Sequence, residues 1–303
     1  MEIRTSALIG LGALGILFGA PMKQHTAPGG FTVIAGEDRI RRYEQQTTLF
    51  NGKECRFDYT TPAAGKPVDL ILVAVKSTAL DGAVEDIRRF VGPDTVILSV
   101  LNGITSEDTL NAAYPGHLLW SVAIGMDATR TGRELVCKCP GKIQFGERDG
   151  RMTERVAAVD RYLTACGIAS EPCGDILTKQ WAKLMINVGL NQTAAAFDLT
   201  YGGLRTPGPA QDKMRQAMQE VIRLANLEGV PLPSDCDSKW LDANMPGFNA
   251  DGMPSMRQDV LARRPTEVEE FAGTIRRLGR KHGVPTPAND FFYDAIRRIE
   301  AGY

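Results

Sequence analysis

The sequence of 303 residues predicts an α/β protein in which a doubly wound, mostly parallel sheet is followed by an all-helical C-terminal domain. Three observations lead to this prediction. A G-x-G-x-x-G motif follows the first apolar run, apolar runs and amphipathic stretches alternate as far as about residue 172, and strand signals stop after Pro172-Cys173-Gly174. We therefore place the boundary between an N-terminal domain, 1–173, and a helical domain, 174–303.

The glycine motif opens the chain and predicts a Rossmann-type dinucleotide site. Gly10 permits a tight strand-to-helix turn, Gly12 lets backbone N–H groups approach a pyrophosphate, and Gly15 allows close packing of helix on strand. The anion would then lie at the positive end of the helix. The residues expected to bind cofactor here are Gly10, Leu11, Gly12, Ala13, Leu14 and Gly15.

A secretory signal peptide is the rival interpretation of the first twenty residues, since Arg4 precedes an apolar run from Ala7 to Ala20. That run holds four glycines, and Pro21 follows the only small-residue cleavage candidate. We expect a cytoplasmic protein.

The N-terminal domain takes its predicted elements from hydrophobic periodicity. Continuous apolar runs are typical of strands covered on both faces. The predicted strands are Thr5–Gly10, Phe31–Ala35, Leu70–Val75, Thr95–Val100 and Leu118–Ile124. The predicted helices are Glu37–Gln46, Thr78–Phe90, Ser106–Ala113 and Arg151–Cys166. Between them, Glu134 to Gly146 is predicted to be a hairpin that turns at Pro140-Gly141.

Helical periodicity dominates the second domain. The predicted helices are Asp175–Phe197, Ala210–Glu228, Ser234–Asn244, Ser255–Arg263, Glu267–His282 and Pro287–Ala301. Thr266 and Glu269 have the spacing of a capping box.

Composition limits the classes of partner. The chain has 35 basic and 36 acidic residues, so its net charge of -1 gives no reason to expect nucleic acid or a membrane as partner. Six cysteines form no C-x-x-C pair and only three histidines are present, so we expect reduced thiols and no metal site. A small-molecule ligand is the remaining expectation.

Several polar residues stand where chemistry is expected. Lys179, Lys183, Asn187 and Asn191 recur every four residues and so share one stripe of a helix, either a functional surface or a polar contact between domains. Two more positions, Ser255 and Glu267, fall at helix starts, where capping alone could explain them. In the sheet, Lys76 and Asn102 each follow a predicted strand, at the edge where open α/β sheets bind ligands.

Six motifs in this order and spacing resemble the ketopantoate reductases (2-dehydropantoate 2-reductases), over almost the whole chain. They are Gly10-Leu-Gly-Ala-Leu-Gly15, Val73-Ala-Val-Lys76, Leu101-Asn-Gly103, Lys183-Leu-Met-Ile-Asn187-Val-Gly-Leu-Asn191, Ser255-Met-x-x-Asp259 and Thr266-Glu267. The resemblance implies a helical domain joined to a Rossmann-type domain, with the active site in the cleft between them. It also implies NADPH-dependent reduction of 2-dehydropantoate to pantoate, a step of pantothenate and coenzyme A biosynthesis.

The resemblance further implies residue roles. Lys183 is similar to the general acid that protonates the carbonyl oxygen, and Glu267 to its companion. The expected substrate ligands are Asn102, Asn187, Asn191 and Ser255. The expected cofactor contacts beyond the glycine turn are Lys76, Asn102 and Ala128.

Three departures from the family pattern qualify this resemblance. Gly36 stands where relatives often place an arginine for the 2′-phosphate of NADP, so Arg39 or Arg42 would have to substitute, and we select Arg39. Tyr201 replaces a substrate-binding asparagine. Finally, Pro21 and the segment 24–30 are expected to interrupt or shorten the first helix.

Two alternatives to ketopantoate reduction stay open from the sequence. One is reduction of another branched 2-oxo acid, which Tyr201 favours. The other is a non-catalytic NADP-binding regulator, which the presence of both Lys183 and Glu267 disfavours. A homodimer is a possible assembly.

Overall fold

A ten-stranded mixed sheet organises the first part of the chain in this computed structural model, which describes residues 1–302. The strands are β1 Ser6–Ile9, β2 Phe31–Ile34, β3 Thr48–Phe50, β4 Lys53–Cys55, β5 Tyr59–Thr60, β6 Val68–Val73, β7 Val91–Ser99, β8 Leu118–Thr131, β9 Glu134–Gly146 and β10 Ser170–Pro172. The helices of this part are α1 Ala13–His25, α2 Glu37–Gln45, α3 Leu80–Asp86, α4 Ser106–Ala113 and α5 Glu154–Ala165.

The strand order is β4-β3-β9-β8-β7-β6-β1-β2-β5, with β10 on β9. Pairing is parallel except between β3 and β4 and between β8 and β9. Because β2 and β6 pair with opposite sides of β1, the strand order reverses between β1 and β6. Ligands of open α/β sheets bind at such a reversal, beyond the carboxyl ends of the strands. The Rossmann-type sheet is therefore confirmed.

The central strands are mostly apolar because both faces of the sheet are covered. Residues 7–9 of β1 and 70–73 of β6 are buried, and Leu17, Phe18 and Met22 of α1 pack into the same core. This burial also explains why Pro21 lies inside α1 without breaking it, contrary to the predicted interruption. An internal proline costs about 3 kcal/mol, which burying two or three large apolar side chains offsets. The helix does end at His25, within the expected segment.

The predicted hairpin at Pro140-Gly141 is wrong. β8 continues to Thr131 and β9 forms one strand along it, so the turn lies at residues 132–133. Gly141 has φ +63°, and a Cβ there would lie 2.2 Å from the carbonyl oxygen of Ile124. The glycine thus permits β9 to pass close to β8 inside a long two-stranded ribbon. The Pro-Gly pair has the composition of a turn, but no turn forms there.

The rest of the chain is helical, as predicted. Its helices are α6 Ile176–Ala196, α7 Tyr201–Leu204, α8 Pro209–Leu227, α9 Cys236–Asn244, α10 Ser255–Leu261, α11 Thr274–His282 and α12 Pro287–Glu300. By contact density the chain divides into a first unit, residues 1–102 with 106–176, and a second unit, 103–105 with the chain from Leu177 onward. This division falls a few residues after the boundary we placed at 173. None of the helices within residues 1–302 is long and apolar enough to cross a membrane.

One helix start in the second unit differs from its prediction. A π-helical turn, Glu269–Gly273, precedes α11, and Thr266 does not form a capping box with Glu269. The backbone N–H and hydroxyl of Thr266 both donate to Glu300, each at 2.7 Å, while Glu269 accepts from the Tyr293 hydroxyl. A carboxylate from α12, distant in sequence, has replaced the local partner.

Candidate active site

The glycine-rich turn joins β1 to α1 with the geometry of a dinucleotide site. Gly10 has φ +95°, and a Cβ there would lie 2.6 Å from the backbone of Ala74 on the neighbouring chain segment. A Cβ on Gly15 would lie 1.9 Å from the Gly10 carbonyl oxygen. Both glycines are therefore required by packing.

Gly12 differs from the other two glycines of the motif. Its nearest atom to an added Cβ is the Ala74 carbonyl oxygen at 3.9 Å, so the protein itself does not require glycine there. Gly12 is the N-cap of α1 and has no side-chain capping bond. The first N–H groups of the helix lack acceptors within it, which makes this terminus suited to a pyrophosphate. The turn thus fits a dinucleotide.

Lys76 and Asn102 lie along the same sheet edge. The Ala74 N–H donates to the Ile9 carbonyl at 2.8 Å, and the Val100 N–H donates to the Val73 carbonyl at 2.9 Å. These bonds align the carboxyl ends of β1, β6 and β7, which Gly10, Lys76 and Asn102 follow. The sheet therefore brings Gly10, Lys76 and Asn102, all predicted site residues, to the same edge. Ala128 lies further along, on β8, where it packs against the core of the first unit.

The three arginines of α2 have different surroundings. Arg41 pairs with Asp38, and Arg42 donates to the Asp38 carbonyl at 3.4 Å. Arg39 forms no side-chain hydrogen bond or ion pair within the described chain, residues 1–302. Its charge opposes the rise that burial produces in the pKa of Asp86. Of the three side chains, that of Arg39 has all its donors available for an anion beyond β2, while Arg42 retains the donors of its two Nη atoms.

Three predicted substrate residues of the second unit are joined by hydrogen bonds. The Asn191 amide oxygen accepts from the Ser255 hydroxyl at 3.1 Å and from the Met256 N–H at 3.0 Å. Its Nδ2 donates to the Asn187 amide oxygen at 3.2 Å. Asn191 of α6 thus supplies the cap of α10, whose own N-cap is Pro254, so Ser255 is not a capping residue.

Asn187 retains an unused donor. Its Nδ2 is buried and has no hydrogen-bond partner among the described residues. A buried amide donor left without a partner costs roughly 1–3 kcal/mol, and functional sites are where such groups persist. The stripe on α6 therefore carries, at Asn187, a donor suited to a carbonyl or carboxylate oxygen.

Lys183 and Glu267 both belong to the second unit and both are half-buried. Lys183 lies on α6 one turn before Asn187. Glu267 lies two residues before the π-helical turn, and its carbonyl accepts the N–H groups of Glu270 and Phe271. Short π segments are frequent at functional sites.

A buried polar network that sequence patterns do not reveal fastens this π turn to α6. The Gln192 side chain accepts from the Ala272 N–H at 2.9 Å and donates to Asn289 at 3.2 Å. Asn289 in turn donates to Glu220, which also accepts the first N–H groups of α12. Gln192 and Asn289 are completely buried. These hydrogen bonds therefore fix the position of the segment that carries Glu267 relative to the helix that carries Lys183.

A second buried group missed from the sequence lies five residues after Asn102. Glu107 of α4 is 1% exposed and accepts a hydrogen bond from the Ser106 hydroxyl at 2.8 Å. Burial raises the pKa of its carboxyl to about 7, although bonds from Ser106 and from the backbone oppose the rise. The local pattern, an acidic residue in a first helical turn, is typical of an exposed dipole partner, so nothing in it signals this burial.

Tyr201, the departure noted above, lies among aromatic side chains. Its ring packs on Phe248 at 4.8 Å between centroids, and Phe248 contacts Trp240 at 6.0 Å. The backbone N–H of Tyr201 donates to the Gly252 carbonyl, three residues before Ser255. A large ring therefore borders the chain segment that leads to the amide network.

A dinucleotide turn at a topological switch point, with a lysine and an amide network on the helical unit, defines a nicotinamide-dependent oxidoreductase. Comparison with known proteins supplies the family. Residues 6–150 match the family model "Ketopantoate reductase PanE/ApbA", and residues 175–300 match "Ketopantoate reductase PanE/ApbA C terminal". The chain belongs to the ketopantoate reductase family, as its motifs predict, and is an enzyme.

Individual relatives are distant but extend over most of the chain. The 2-dehydropantoate 2-reductase of Aquifex aeolicus is 26% identical over 242 residues, covering 77% of this chain and 76% of its own. That of Streptococcus pyogenes serotype M1 is 24% identical over 301 residues, 97% of each chain. Among solved structures, a PanE/ApbA family ketopantoate reductase from Ralstonia eutropha has a TM-score of 0.83 at 25% identity, covering 98% of this chain and 99% of that one.

A D-mandelate dehydrogenase solved with NADH and anilino(oxo)acetate superimposes equally well. Its TM-score is 0.86 at 23% identity, over 98% of this chain and 99% of that chain. At this identity the likeness shows a shared fold.

Proposed function

We propose that this enzyme uses NADPH to reduce 2-dehydropantoate to pantoate. Family membership and the relatives named 2-dehydropantoate 2-reductase support this proposal. The observation that carries it most directly is that Asn187 and Asn191, one and two turns beyond Lys183 on α6, are hydrogen-bonded to each other and to Ser255 of α10.

The substrate residues follow from hydrogen-bonding capacity. A 2-oxo acid presents carboxylate and carbonyl oxygens, which need donors. The Asn187 Nδ2 supplies one and Asn102 extends the set, while the Ser255 hydroxyl, whose hydrogen is donated to Asn191, offers its oxygen as an acceptor to a substrate hydroxyl. Asn191 holds Asn187 and the start of α10 in place, so its contribution to binding includes positioning.

Lys183 is the proposed general acid. When bound, the nicotinamide would supply hydride to the ketone carbon, so that negative charge would develop on the ketone oxygen. An ammonium at that oxygen stabilises the charge and transfers a proton from Nζ, giving the hydroxyl. Glu267 is its companion, accepting hydrogen bonds from the new hydroxyl. Proton donation of this kind is worth about 10² to 10⁴ in rate.

The proposed cofactor residues lie in the first unit. The glycine turn receives the pyrophosphate, with Lys76, Asn102 and Ala128 toward the nicotinamide end. Arg39 is the proposed ligand of the 2′-phosphate, because no carboxylate stands at Gly36, Arg41 is paired with Asp38, and Arg42 is bonded through Nε to the Asp38 carbonyl, whereas Arg39 has no such bond. A preference for NADPH over NADH follows.

A second candidate substrate is another branched 2-oxo acid. The packing of Tyr201 on Phe248 favours it, because an asparagine able to bind a distal hydroxyl has been replaced by a ring in an aromatic group. This change would lower the binding affinity for a substrate with an apolar branch less than for a substrate with a distal hydroxyl.

One assay separates these candidates. Purified protein is supplied with NADPH or NADH and with 2-dehydropantoate or a panel of branched 2-oxo acids, and the loss of nicotinamide absorbance is followed. We expect the highest kcat/KM with 2-dehydropantoate and NADPH. A higher kcat/KM for another member of the panel would identify that 2-oxo acid as the substrate instead. No turnover with any member would overturn the proposal. Cytoplasmic location and a homodimer are predictions that fractionation and light scattering test separately.

A further inference from the structure

Arg130 contacts the glycine-rich turn from a strand that sequence motifs do not connect with it. Its side chain donates from Nη1 to the carbonyl oxygen of Leu11, between the first two glycines, and from Nε to the Gly132 carbonyl at 3.1 Å. Arg130 is two residues beyond Ala128 on β8, so the two side chains share one face of the strand. An arginine is thus held at the turn expected to receive the pyrophosphate.

The charge of this arginine is not neutralised locally. Both of its hydrogen bonds go to backbone carbonyls, and within residues 1–302 it has no carboxylate partner. Arg155, a half-buried arginine of the same unit, is by contrast paired with Glu147. A partly buried cation without a counter-charge favours the approach of an anion.

The position of the bond shows which anion would be favoured. Leu11 is buried, and its carbonyl precedes Gly12, the N-cap from which the N–H groups of α1 point outward. A guanidinium has five donors in a planar fork, so a bond to one carbonyl leaves donors for phosphate oxygens. Two features that favour negative charge, the helix terminus and Arg130, therefore meet at one turn.

We propose that Arg130 is a further cofactor-binding residue that contacts the pyrophosphate, with the Leu11 carbonyl holding its guanidinium in place. The proposal rests on dinucleotide binding by the glycine turn and does not depend on the identity of the 2-oxo acid. The pyrophosphate is common to NADPH and NADH, so Arg130 contributes equally to both. This distinguishes it from Arg39, whose proposed partner is present in NADPH alone.

The test is a fluorescence titration of the free protein with each cofactor, without substrate. Arg130→Gln keeps a donor for the Leu11 carbonyl but removes the charge. We expect it to raise the Kd of NADPH and of NADH by the same factor, about tenfold, and to weaken the dependence of Kd on salt. Arg133→Ala removes an exposed arginine from the same hairpin and should leave both values unchanged.

Three results would overturn the proposal. Unchanged Kd values in Arg130→Gln would mean that the side chain only fastens the turn. A rise for NADPH alone would assign it to the 2′-phosphate. An equal loss of cofactor affinity in Arg133→Ala would mean that the effect of Arg130→Gln comes from the change in net charge alone. If Arg130→Gln lowers the melting temperature of the free protein, Arg130→Lys, which keeps the charge, must bind both cofactors more tightly than Arg130→Gln, and failure to do so also contradicts the proposal.

Discussion

The two units of this enzyme build their proposed sites by different means. In the first unit the site consists largely of backbone, since Gly10 and Gly15 are required by contacts below 3 Å and Gly12 leaves N–H groups accessible. In the second unit it consists of side chains on α6 held by partners far away in sequence, such as Ser255 and Ala272. A backbone site is encoded in a few adjacent residues, whereas a side-chain site depends on packing between remote elements.

Substitutions within the glycine motif test this contrast with the largest expected effect. Gly10→Ala places a Cβ 2.6 Å from the Ala74 backbone at φ +95°, so we expect a loss of folding stability on the order of 3 kcal/mol or more. Gly12→Ala meets nothing nearer than 3.9 Å and should fold normally, yet bind both cofactors weakly. Thermal melts and cofactor titrations of the two variants measure this. If Gly12→Ala unfolds while Gly10→Ala does not, the division of roles is wrong.

Glu107 tests whether a buried, titratable side chain affects the stability of the first unit. Its carboxyl has a pKa of about 7 when folded, against 4.5 as the ordinary value. The protonated form therefore favours folding, and this stability is present below about pH 4.5 and is lost as the pH rises through 7. A shift of that size corresponds to at most about 3 kcal/mol.

The matched variant is Glu107→Gln, which resembles the protonated carboxyl at every pH. We expect it to be more stable than the wild type at pH 8 and nearly equal to it at pH 5, as measured by denaturant unfolding. A stability difference that does not vary with pH would show that Glu107 does not titrate in this range.

Several features of the fold and site were accessible from sequence because they are local. The glycine turn, the continuous apolar strands and the four-residue stripe on α6 each lie within one element. The misassigned hairpin and capping box show the limit. Pro140-Gly141 has the composition of a turn but lies inside a ribbon set by pairing with β8, and Thr266 bonds to Glu300, thirty-four residues away. The contact of Arg130 with Leu11, 119 residues apart, has no sequence signal at all.

Arg39 tests whether a side chain, rather than backbone, sets cofactor preference in the first unit. Arg39→Ala should weaken the binding of NADPH by about 1.5–3 kcal/mol, the contribution of a charge-assisted hydrogen bond, and leave the binding of NADH unchanged. The ratio of kcat/KM for the two cofactors measures this, with Arg41→Ala as control because Arg41 is already paired with Asp38. An unchanged ratio in Arg39→Ala would exclude it as the phosphate ligand.

Asn191 carries the smallest expected effect and separates binding from positioning in the second unit. Asn191→Ala removes the cap of α10 and the bond to Asn187, so we expect about 1 kcal/mol of lost stability. It should also lower kcat/KM for the 2-oxo acid with little change in NADPH affinity. Lost stability with full activity would make the network purely structural.

The central claim is that α6 supplies the proton while the first unit holds the cofactor, and single-turnover oxidation of bound NADPH by the 2-oxo acid tests it most directly. In Lys183→Ala we expect NADPH to bind as in the wild type and the rate to fall at least about 10²-fold, without the alkaline decline that loss of an ammonium proton produces. Lys179→Ala, one turn earlier on the same helix, is the control. A Lys183→Ala enzyme with near-normal rate and the same alkaline decline would contradict the account and leave Glu267 or a water molecule as the acid.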